Sequence, residues 1–335
     1  MTVLLTCGHT LSDTVNPTDA LRITVLMGGT NSESAVSLDS GKRVLEALES
    51  LGYRAVSVIY EGDLAATIQA LRGHDLVFIA LHGGDGEDGT VQAALEGARI
   101  SFTGSGSQAS RLAMDKKGAK DRMVAAGVAT PPWVNLMLPG APTGASIGLF
   151  PELTTFCDEH PYPLVVKPNH EGSTVGVSIV QTSTQLDAAL STVGVFGSQV
   201  LVEAYVPGRE LTVTILDHRP LPIVEIVPKH AYYDYESKYT DGMSEYFVPA
   251  ELPEPTTLAI QDAALRLYEV LGCRHYSRVD FRLNPAGEFF CLELNTLPGL
   301  TAHSLTPMAA SAVDLDFNGL IDQIIKHALA TGQAE

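Results

Sequence analysis

The residues best suited to chemistry lie at 278–295, a segment that reads as two strands joined by a tight turn. Arg278 and Asp280 alternate with apolar residues on the first strand, and Glu293 and Asn295 do so on the second. Residues two apart along a strand share one face, so these polar side chains should gather on one side of the hairpin.

A turn centred between Ala286 and Gly287 would place Asp280 directly opposite Glu293. Facing carboxylates destabilise a strand pair by roughly 0.2–1 kcal/mol, and a divalent cation between them would remove that cost. Two carboxylates and an amide form the oxygen-only ligand set that Mg²⁺ prefers, completed by water and phosphate oxygens. The alternative is the ordinary polar face of an exposed hairpin.

The first part of the chain alternates apolar strands with helical segments. Strands are expected at 21–27, 55–60 and 76–81, and helices at 36–51 and 63–71. This alternation predicts a parallel sheet covered on both faces, which is an α/β domain.

The rest of the chain mixes strands and helices less regularly, which predicts two α+β domains. Further elements are expected as strands at 100–102, 163–168, 175–180, 200–205, 210–216 and 221–226 and as helices at 90–96, 116–126, 184–192 and 256–271, with a terminal helix. The predicted organisation is an irregular extension over 1–20, followed by domains at 21–115, 116–206 and 207–335.

Composition limits the possible partners. The 335 residues carry a formal net charge of −18, which disfavours binding to nucleic acid or to an anionic membrane. An acidic protein that handles phosphates must gather its few cations in one cleft. Four scattered cysteines, no basic apolar leader and no apolar run of membrane-spanning length favour a reducing cytoplasm.

Two glycine-rich loops follow predicted strands and could meet anions through backbone N–H groups. One is 82–89, and the other is 170–176, which follows Lys167. Lys167 at a strand end could reach a phosphate as a point charge. The alternative for 170–176 is a surface hairpin turn.

Two later loops could also contribute to a site. The aromatic, polar segment 232–246 is typical of a lid, and we expect a lid loop at 230–247. The loop 299–305 could use backbone N–H groups to hold a developing oxyanion. His303 in that loop could be an acid or a base, or a histidine hydrogen-bonded for structure only.

Taken together, these segments resemble the D-alanine–D-alanine ligase family of the ATP-grasp fold, from about residue 23 to about residue 325. The resemblance rests on these motifs, in chain order: Gly28-Gly-Thr-Asn-Ser-Glu33 with Val36-Ser37, His82-Gly-Gly-Asp-Gly-Glu-Asp-Gly89, Thr103-Gly-Ser-Gly106 with Met114-Asp-Lys116, Val166-Lys-Pro168 with Glu171-Gly-Ser173, Tyr233-Asp-Tyr-Glu-Ser-Lys-Tyr239, Arg278-Val-Asp280, Glu293-Leu-Asn295, and Pro298-Gly299 with His303-Ser-Leu305.

The resemblance implies an ATP-grasp fold with an N-terminal parallel-sheet domain and central and C-terminal α+β domains. It implies that ATP binds between the central and C-terminal domains. Two metal ions per site, Mg²⁺ or Mn²⁺, would be held by Asp280, Glu293 and Asn295. Lys116 and Lys167 would contact phosphates, and Glu210 the ribose. The implied ATP-binding residues are Lys116, Lys167, Glu171, Ser173, Glu203, Ala204, Tyr205, Val206, Glu210, Tyr233 and Lys238.

The resemblance also implies two D-alanine subsites. Glu33 would hold the ammonium group of the first D-alanine, with His82 nearby. Arg278 and the Gly299 backbone N–H would stabilise charge on the reacting carboxyl. The remaining implied residues are Ser173 and Tyr239, which would join Glu33 in a network that closes the lid, Lys238 in the lid, and Ser304 and Leu305, which would position the second D-alanine.

The implied reaction has two steps. The carboxylate of the first D-alanine attacks the γ-phosphate of ATP and gives an acyl phosphate and ADP. The amine of the second D-alanine then attacks the acyl carbon, and the tetrahedral intermediate releases phosphate and the dipeptide for peptidoglycan precursor synthesis. The resemblance further implies a homodimer.

Other readings stay open. The family usually carries a charged pair after the acid at Glu33, whereas this chain has Ser34-Ala35. A related ligase could use D-lactate, D-serine or another amino acid as the acceptor; Lys238-Tyr239 favours the dipeptide-forming type. A nucleotide-binding protein without turnover would be expected to lack Arg278 or a metal ligand, and this chain has them.

Overall fold

The computed structural model describes residues 21–139, 147–229 and 243–332. Within these ranges the strands form three sheets, one parallel and two antiparallel. The predicted extension at 1–20 lies outside the described residues.

The first sheet is parallel and has the order β2-β1-β3. The predicted alternation of strands and helices is confirmed, whereas the strand predicted at 100–102 is only an isolated bridge between Val77 and Phe102. Every residue of β3 is buried, which explains its uninterrupted apolar sequence. The elements are β1 (Arg22–Gly28), α1 (Ser34–Ser50), β2 (Arg54–Tyr60), α2 (Leu64–Leu71), β3 (Leu76–Ile79) and α3 (Thr90–Ala98).

Two helices connect this sheet to the second one. They are α4 (Ser107–Met114), which the sequence did not predict, and α5 (Lys116–Ala125), which it did. The Asp115 side chain accepts a hydrogen bond from the Gly118 N–H at 3.0 Å and so caps α5. The cap fixes Lys116 as the first residue of that helix.

The second sheet is antiparallel, with the order β4-β7-β5-β6. Its apolar core contains residues from both helices of this region, such as Leu153 and Leu186. Strand β4 and helix α6 were not predicted. The elements are β4 (Trp133–Met137), α6 (Pro151–Glu159), β5 (Leu164–Pro168), β6 (Ser178–Val180), α7 (Ser183–Val193) and β7 (Gln199–Ala204).

The third sheet has the order β11-β10-β8-β12-β13, with β9 paired to β8. The strand predicted at 221–226 begins later than expected, at Val224. The elements are β8 (Arg209–Leu216), β9 (Arg219–Pro220), β10 (Val224–Pro228), β11 (Ser244–Phe247), α8 (Glu254–Val270), β12 (Tyr276–Leu283), β13 (Phe289–Asn295), α9 (Leu305–Ser311) and α10 (Phe317–Gly332).

The apolar cores cross the predicted domain boundaries. Leu320 and Ile324 of α10 belong to the same buried cluster as Ile23 of β1. Met123 of α5 belongs to the cluster of the third sheet. The boundaries at residues 115 and 206 therefore stay predictions.

None of the described helices combines the length and the hydropathy that a bilayer crossing needs.

His275 connects three parts of the fold in a buried position. Its Nδ1 accepts a hydrogen bond from the Gly104 N–H at 2.9 Å, and its Nε2–H donates to Thr331 Oγ1 at 2.8 Å. Burial, with the neighbouring charges of Arg274 and His327, lowers the pKa of His275 to about 4. Protonation of Nδ1 would remove the acceptor that holds Gly104.

We expect His275 to make stability depend on pH. Between pH 6.5 and about 4 the unfolded chain protonates this residue and the folded chain does not. The free energy of unfolding should therefore fall on acidification, with up to about 1.4 kcal/mol per pH unit from this histidine. Urea unfolding of His275→Asn at several pH values should give a shallower slope than the wild type.

A matched control is available at His218, which also has a positive φ but is exposed. His218→Asn should keep the wild-type pH slope, because it leaves the buried His275 ring and its two hydrogen bonds unchanged. Equal slopes for His275→Asn and the wild type would show that the prediction is wrong.

Candidate active site

The hairpin pairs its polar residues as predicted. Asp280 lies opposite Glu293, and Arg278 lies opposite Asn295. The predicted turn, however, is wrong by half a residue, because the Asn284 N–H bonds to the Glu288 carbonyl and the turn is centred on Ala286.

A β-bulge restores the pairing. The register shifts between Asp280 and Phe281, so that Phe281 pairs with Cys291 and Leu292 is the extra residue on β13. Without the bulge, a turn centred on Ala286 would place Leu292 opposite Asp280. Bulges re-aim side chains in this way, and here Leu292 and Glu293 line the same cavity.

Asp280 is held from two sides. The Arg278 guanidinium donates two hydrogen bonds to its carboxylate, both at 2.8 Å. The Thr212 hydroxyl, on the neighbouring strand β8, donates to Asp280 Oδ1 at 2.6 Å. Such charge-assisted bonds fix the direction of the carboxylate.

A first cavity is lined by residues from all three predicted domains. Residues of strand β13 and of the loops after β1, β3 and β5 contribute to this lining. The sequence-predicted residues that line it are Glu33, His82, Lys116, Ser173, Arg278, Glu293, Asn295, Gly299, Ser304 and Leu305.

Loop contacts within the first cavity are close. His82 Nε2 lies 2.9 Å from the Ser40 hydroxyl, and its Nδ1 lies 3.7 Å from Glu87 Oε1. A side chain at Gly83, where φ is +68°, would lie 2.9 Å from Glu33 Oε1, so glycine permits this approach. Glu87 lines the cavity but was not singled out, although it stands in the glycine-rich loop that was.

Ser304 shapes the far end of this cavity. Its hydroxyl accepts a hydrogen bond from the Thr301 N–H at 2.9 Å. A Cβ at Gly299 would lie 2.8 Å from the same hydroxyl oxygen, so the loop packs closely here. His303, which the sequence left open as an acid or base or as a structural histidine, also lines the cavity.

A second cavity lies between the second and third sheets. Apolar walls that the sequence did not single out include Val165, Leu211 and Ile226, because such positions look like ordinary core residues of strands. The sequence-predicted residues that line it are Lys116, Lys167, Glu171, Glu203, Ala204, Tyr205, Val206, Glu210, Asp280 and Glu293.

The two cavities meet at Lys116, Gly172 and Glu293, which line both. Lys116 Nζ lies 3.5 Å from Glu293 Oε2 and donates to the Glu171 carbonyl. Burial lowers the pKa of Lys116, an effect that Glu293 opposes and that Lys167 adds to. An anion bound here would favour the charged ammonium group.

Arg282 was missed by the sequence analysis. It donates to Glu210 Oε2 at 3.0 Å and to the Val206 carbonyl at 3.1 Å, and so holds two lining residues of the second cavity. A signal was present, because Arg282 continues the alternation of Arg278 and Asp280 along β12. Three cations, Lys116, Lys167 and Arg282, thus line this cavity together with five carboxylates.

Of the lid loop predicted at 230–247, the last four residues form strand β11 (Ser244–Phe247) instead. Tyr233, Lys238 and Tyr239 lie outside the described residues, so their roles stay predictions.

Two antiparallel sheets with a cavity between them, next to a parallel-sheet domain, form the ATP-grasp arrangement that the resemblance implied. Family models described as D-ala D-ala ligase C-terminus and N-terminus match residues 123–326 and 60–105. The chain belongs to the D-alanine–D-alanine ligase family.

Individual relatives support this membership. The chain is 46% identical over 308 residues to a D-alanine–D-alanine ligase of Syntrophotalea carbinolica, covering 92% of this chain and 96% of the relative. A crystal structure of the Bacillus anthracis ligase complexed with ATP has a TM-score of 0.81 at 35% identity, with 94% and 99% of the two chains covered. The VanG D-Ala:D-Ser ligase of Enterococcus faecalis gives 0.77 at 28% identity, with 92% and 99% covered.

A glycine lies between strands β7 and β8, which both contribute residues to the second cavity. Gly208 has φ +118°, and a Cβ there would lie 2.1 Å from the Leu283 carbonyl oxygen. Gly208→Ala should lower the free energy of unfolding by at least about 3 kcal/mol, because backbone must move. Denaturant unfolding would measure the loss.

Gly287 is the matched control, since its φ is +84° and nothing lies within 4 Å of the added Cβ. Gly287→Ala should cost only about 1–2 kcal/mol, from backbone strain alone. Equal losses for the two variants would contradict the steric explanation.

Proposed function

We propose that this protein joins two D-alanines into D-alanyl-D-alanine, converting ATP to ADP and phosphate, for peptidoglycan precursor synthesis. The observation that supports this reaction most directly is that two cavities meet at Lys116, Gly172 and Glu293. A phosphate donor in one cavity can thus face an acceptor in the other. Family membership supports the choice of substrates.

The nucleotide is assigned to the second cavity. Lys116 and Lys167 would contact the phosphates, and the segment from Glu203 to Val206 would meet adenine. Glu210, fixed by Arg282 at 3.0 Å, would bind the ribose. Buried cations are the groups needed to offset repulsion between the triphosphate and an attacking carboxylate.

We assign two metal ions, Mg²⁺ or Mn²⁺, to Asp280, Glu293 and Asn295. The donor set fits, because hard oxygens stand on facing strands and their charges are balanced by Arg278 and Lys116. The set has two carboxylates, and the Asn295 amide with water and phosphate oxygens would complete it. A bound metal offsets phosphate charge and aligns phosphate oxygens.

The amino acids are assigned to the first cavity. Glu33 would hold the ammonium group of the first D-alanine, with His82 nearby, and Ser304 and Leu305 would position the second. Holding both reactants in line can supply on the order of 7–11 kcal/mol of the barrier.

Charge on the reacting carboxyl would be stabilised by Arg278 and the Gly299 N–H. Loss of one such donor would cost roughly 3–4 kcal/mol of transition-state stabilisation. Arg278 already orients Asp280, so a single side chain would connect the metal site to the reacting carboxyl.

We assign closure of the lid over the substrates to Ser173 together with Lys238 and Tyr239 of the lid. Ser173 and Thr174 both have positive φ values, 48° and 65°. A Cβ at the neighbouring Gly172 would lie 3.9 Å from Glu33 Oε1, so this loop already reaches the first subsite. Excluding water protects an acyl phosphate from hydrolysis.

The second subsite holds the acceptor of the reaction. The likeness to a D-Ala:D-Ser ligase favours keeping D-serine as a second candidate. D-Lactate and other amino acids are further alternatives, although Lys238-Tyr239 favours the dipeptide-forming type. We further propose that the protein is a cytoplasmic homodimer.

We expect phosphate release from ATP and Mg²⁺ to depend on D-alanine and not on L-alanine. Mass spectrometry should detect D-alanyl-D-alanine as the product. In mixtures with D-serine or D-lactate at neutral pH, the D-alanine dipeptide should dominate. If the ester or the mixed dipeptide dominates, the acceptor is D-lactate or D-serine. If phosphate release does not depend on D-alanine at all, the proposed reaction is contradicted.

Thr212 allows a test of the metal site. Thr212→Val removes the hydroxyl that holds Asp280 at 2.6 Å while keeping the shape of a fully buried side chain. The Mg²⁺ concentration for half-maximal activity should rise about tenfold, as for other outer-shell partners of metal ligands.

Thr214 is the matched control for Thr212. It is buried on the same strand, and its hydroxyl lies 3.1 Å from that of Thr306. Thr214→Val should leave the Mg²⁺ requirement unchanged. The same shift in both variants would remove the support for Asp280 as a metal ligand.

A further inference from the structure

Lys120 is a buried cation that the proposed reaction does not yet use. It is 1% exposed and lies one helical turn after Lys116 on α5. Its ammonium group lies 2.9 Å from Glu203 Oε1, 2.6 Å from the Thr130 hydroxyl and 3.3 Å from the Pro131 carbonyl. These acceptors match the three N–H donors of the group.

Glu203 receives a second ammonium group on the same oxygen. Lys167 Nζ lies 2.8 Å from Glu203 Oε1. Both ion pairs are measured to Oε1, and Glu203 also lines the second cavity, where its carboxylate can accept a hydrogen bond from a bound donor. Two ammonium groups and one carboxylate also leave one positive charge in excess beside that cavity.

Lys120 additionally connects two sheets. The Thr130 hydroxyl that it contacts donates to the Cys291 carbonyl at 2.8 Å. Cys291 lies on β13, two residues before Glu293, whereas Glu203 lies on β7 of the second sheet. The position of Lys120 therefore links the two walls of the cavity.

We propose that Lys120 is a positioning residue that directs Glu203 towards the 6-amino group of the purine and keeps Lys167 available to phosphate. The proposal rests on the proposed binding of ATP in the second cavity. It assigns nucleotide selectivity partly to a side chain that does not line that cavity.

Removing the Lys120 charge has two physical consequences. Glu203 would lose one of its two close ammonium partners and keep Lys167 at 2.8 Å, and a buried carboxylate binds its remaining cation more closely. The pair would then carry no excess charge towards the phosphates. The Glu203 carboxylate would also turn away from the 6-amino group of adenine.

The test compares ATP with ITP, which has an oxygen in place of the 6-amino group. Isothermal titrations without amino acid would use the wild type, Lys120→Met and Lys117→Met. In Lys120→Met the Kd for ATP should rise roughly 10- to 100-fold, as for loss of hydrogen bonds to a charged group, and the ATP-over-ITP preference should fall. Under turnover, KM for ATP should rise while KM for D-alanine stays within about twofold.

Lys117 is the matched control, because its ammonium group pairs with Asp121 at 2.6 Å on the exposed face of the same helix. Lys117→Met should keep wild-type affinities for both nucleotides. An unchanged ATP-over-ITP ratio in Lys120→Met, or an equal change in Lys117→Met, would overturn the proposal.

Thermal unfolding of each variant separates misfolding from mispositioning. If Lys120→Met does not fold, Thr130→Val is the variant to measure, because it removes one partner of the Lys120 ammonium group without changing a charge. Its ATP-over-ITP affinity ratio should still fall at least threefold. No fall would overturn the proposal. The titrations need no turnover. A wild type that binds ATP but ignores D-alanine would therefore contradict the ligase reaction and leave the role of Lys120 decided by the nucleotide ratio.

Discussion

Two carboxylates that face each other across a strand pair must be balanced by positive charge. Asp280 and Glu293 stand in this relation, and the arrangement around them follows from it. Arg278 holds one carboxylate within the hairpin, while Lys116 approaches the other from a helix outside the sheet. The balance therefore ties α5 to the hairpin, and the two cavities meet where that tie is made.

The alternation of polar and apolar residues was enough to predict the facing carboxylates, but not the reason for their register. The turn was placed half a residue too late, and the bulge at Leu292 compensates for the difference. A period of two along the sequence contains no sign of an extra residue. The bulge also turns Leu292 from an expected core position into a wall of the second cavity.

Other features escaped the sequence for related reasons. The short elements α4, β4, α6 and α9 lack a long periodic signal, whereas the parallel sheet was predictable because its buried strands are continuous apolar runs. Lys120 resembles any lysine on an exposed helix until Glu203 is known to lie beside it. Val165 resembles any core valine. Long-range pairing decides these cases, and residue type and spacing do not encode it.

The apolar cluster shared by the first strands and the final helix has a consequence for biosynthesis. Helix α10 packs against α1 and β3, so the first sheet keeps an uncovered apolar surface until the residues of α10 have been synthesised. Nascent chains with such surface are prone to aggregation and are natural clients of chaperones. The first sheet thus completes its folding only after the chain of the second and third sheets has been made.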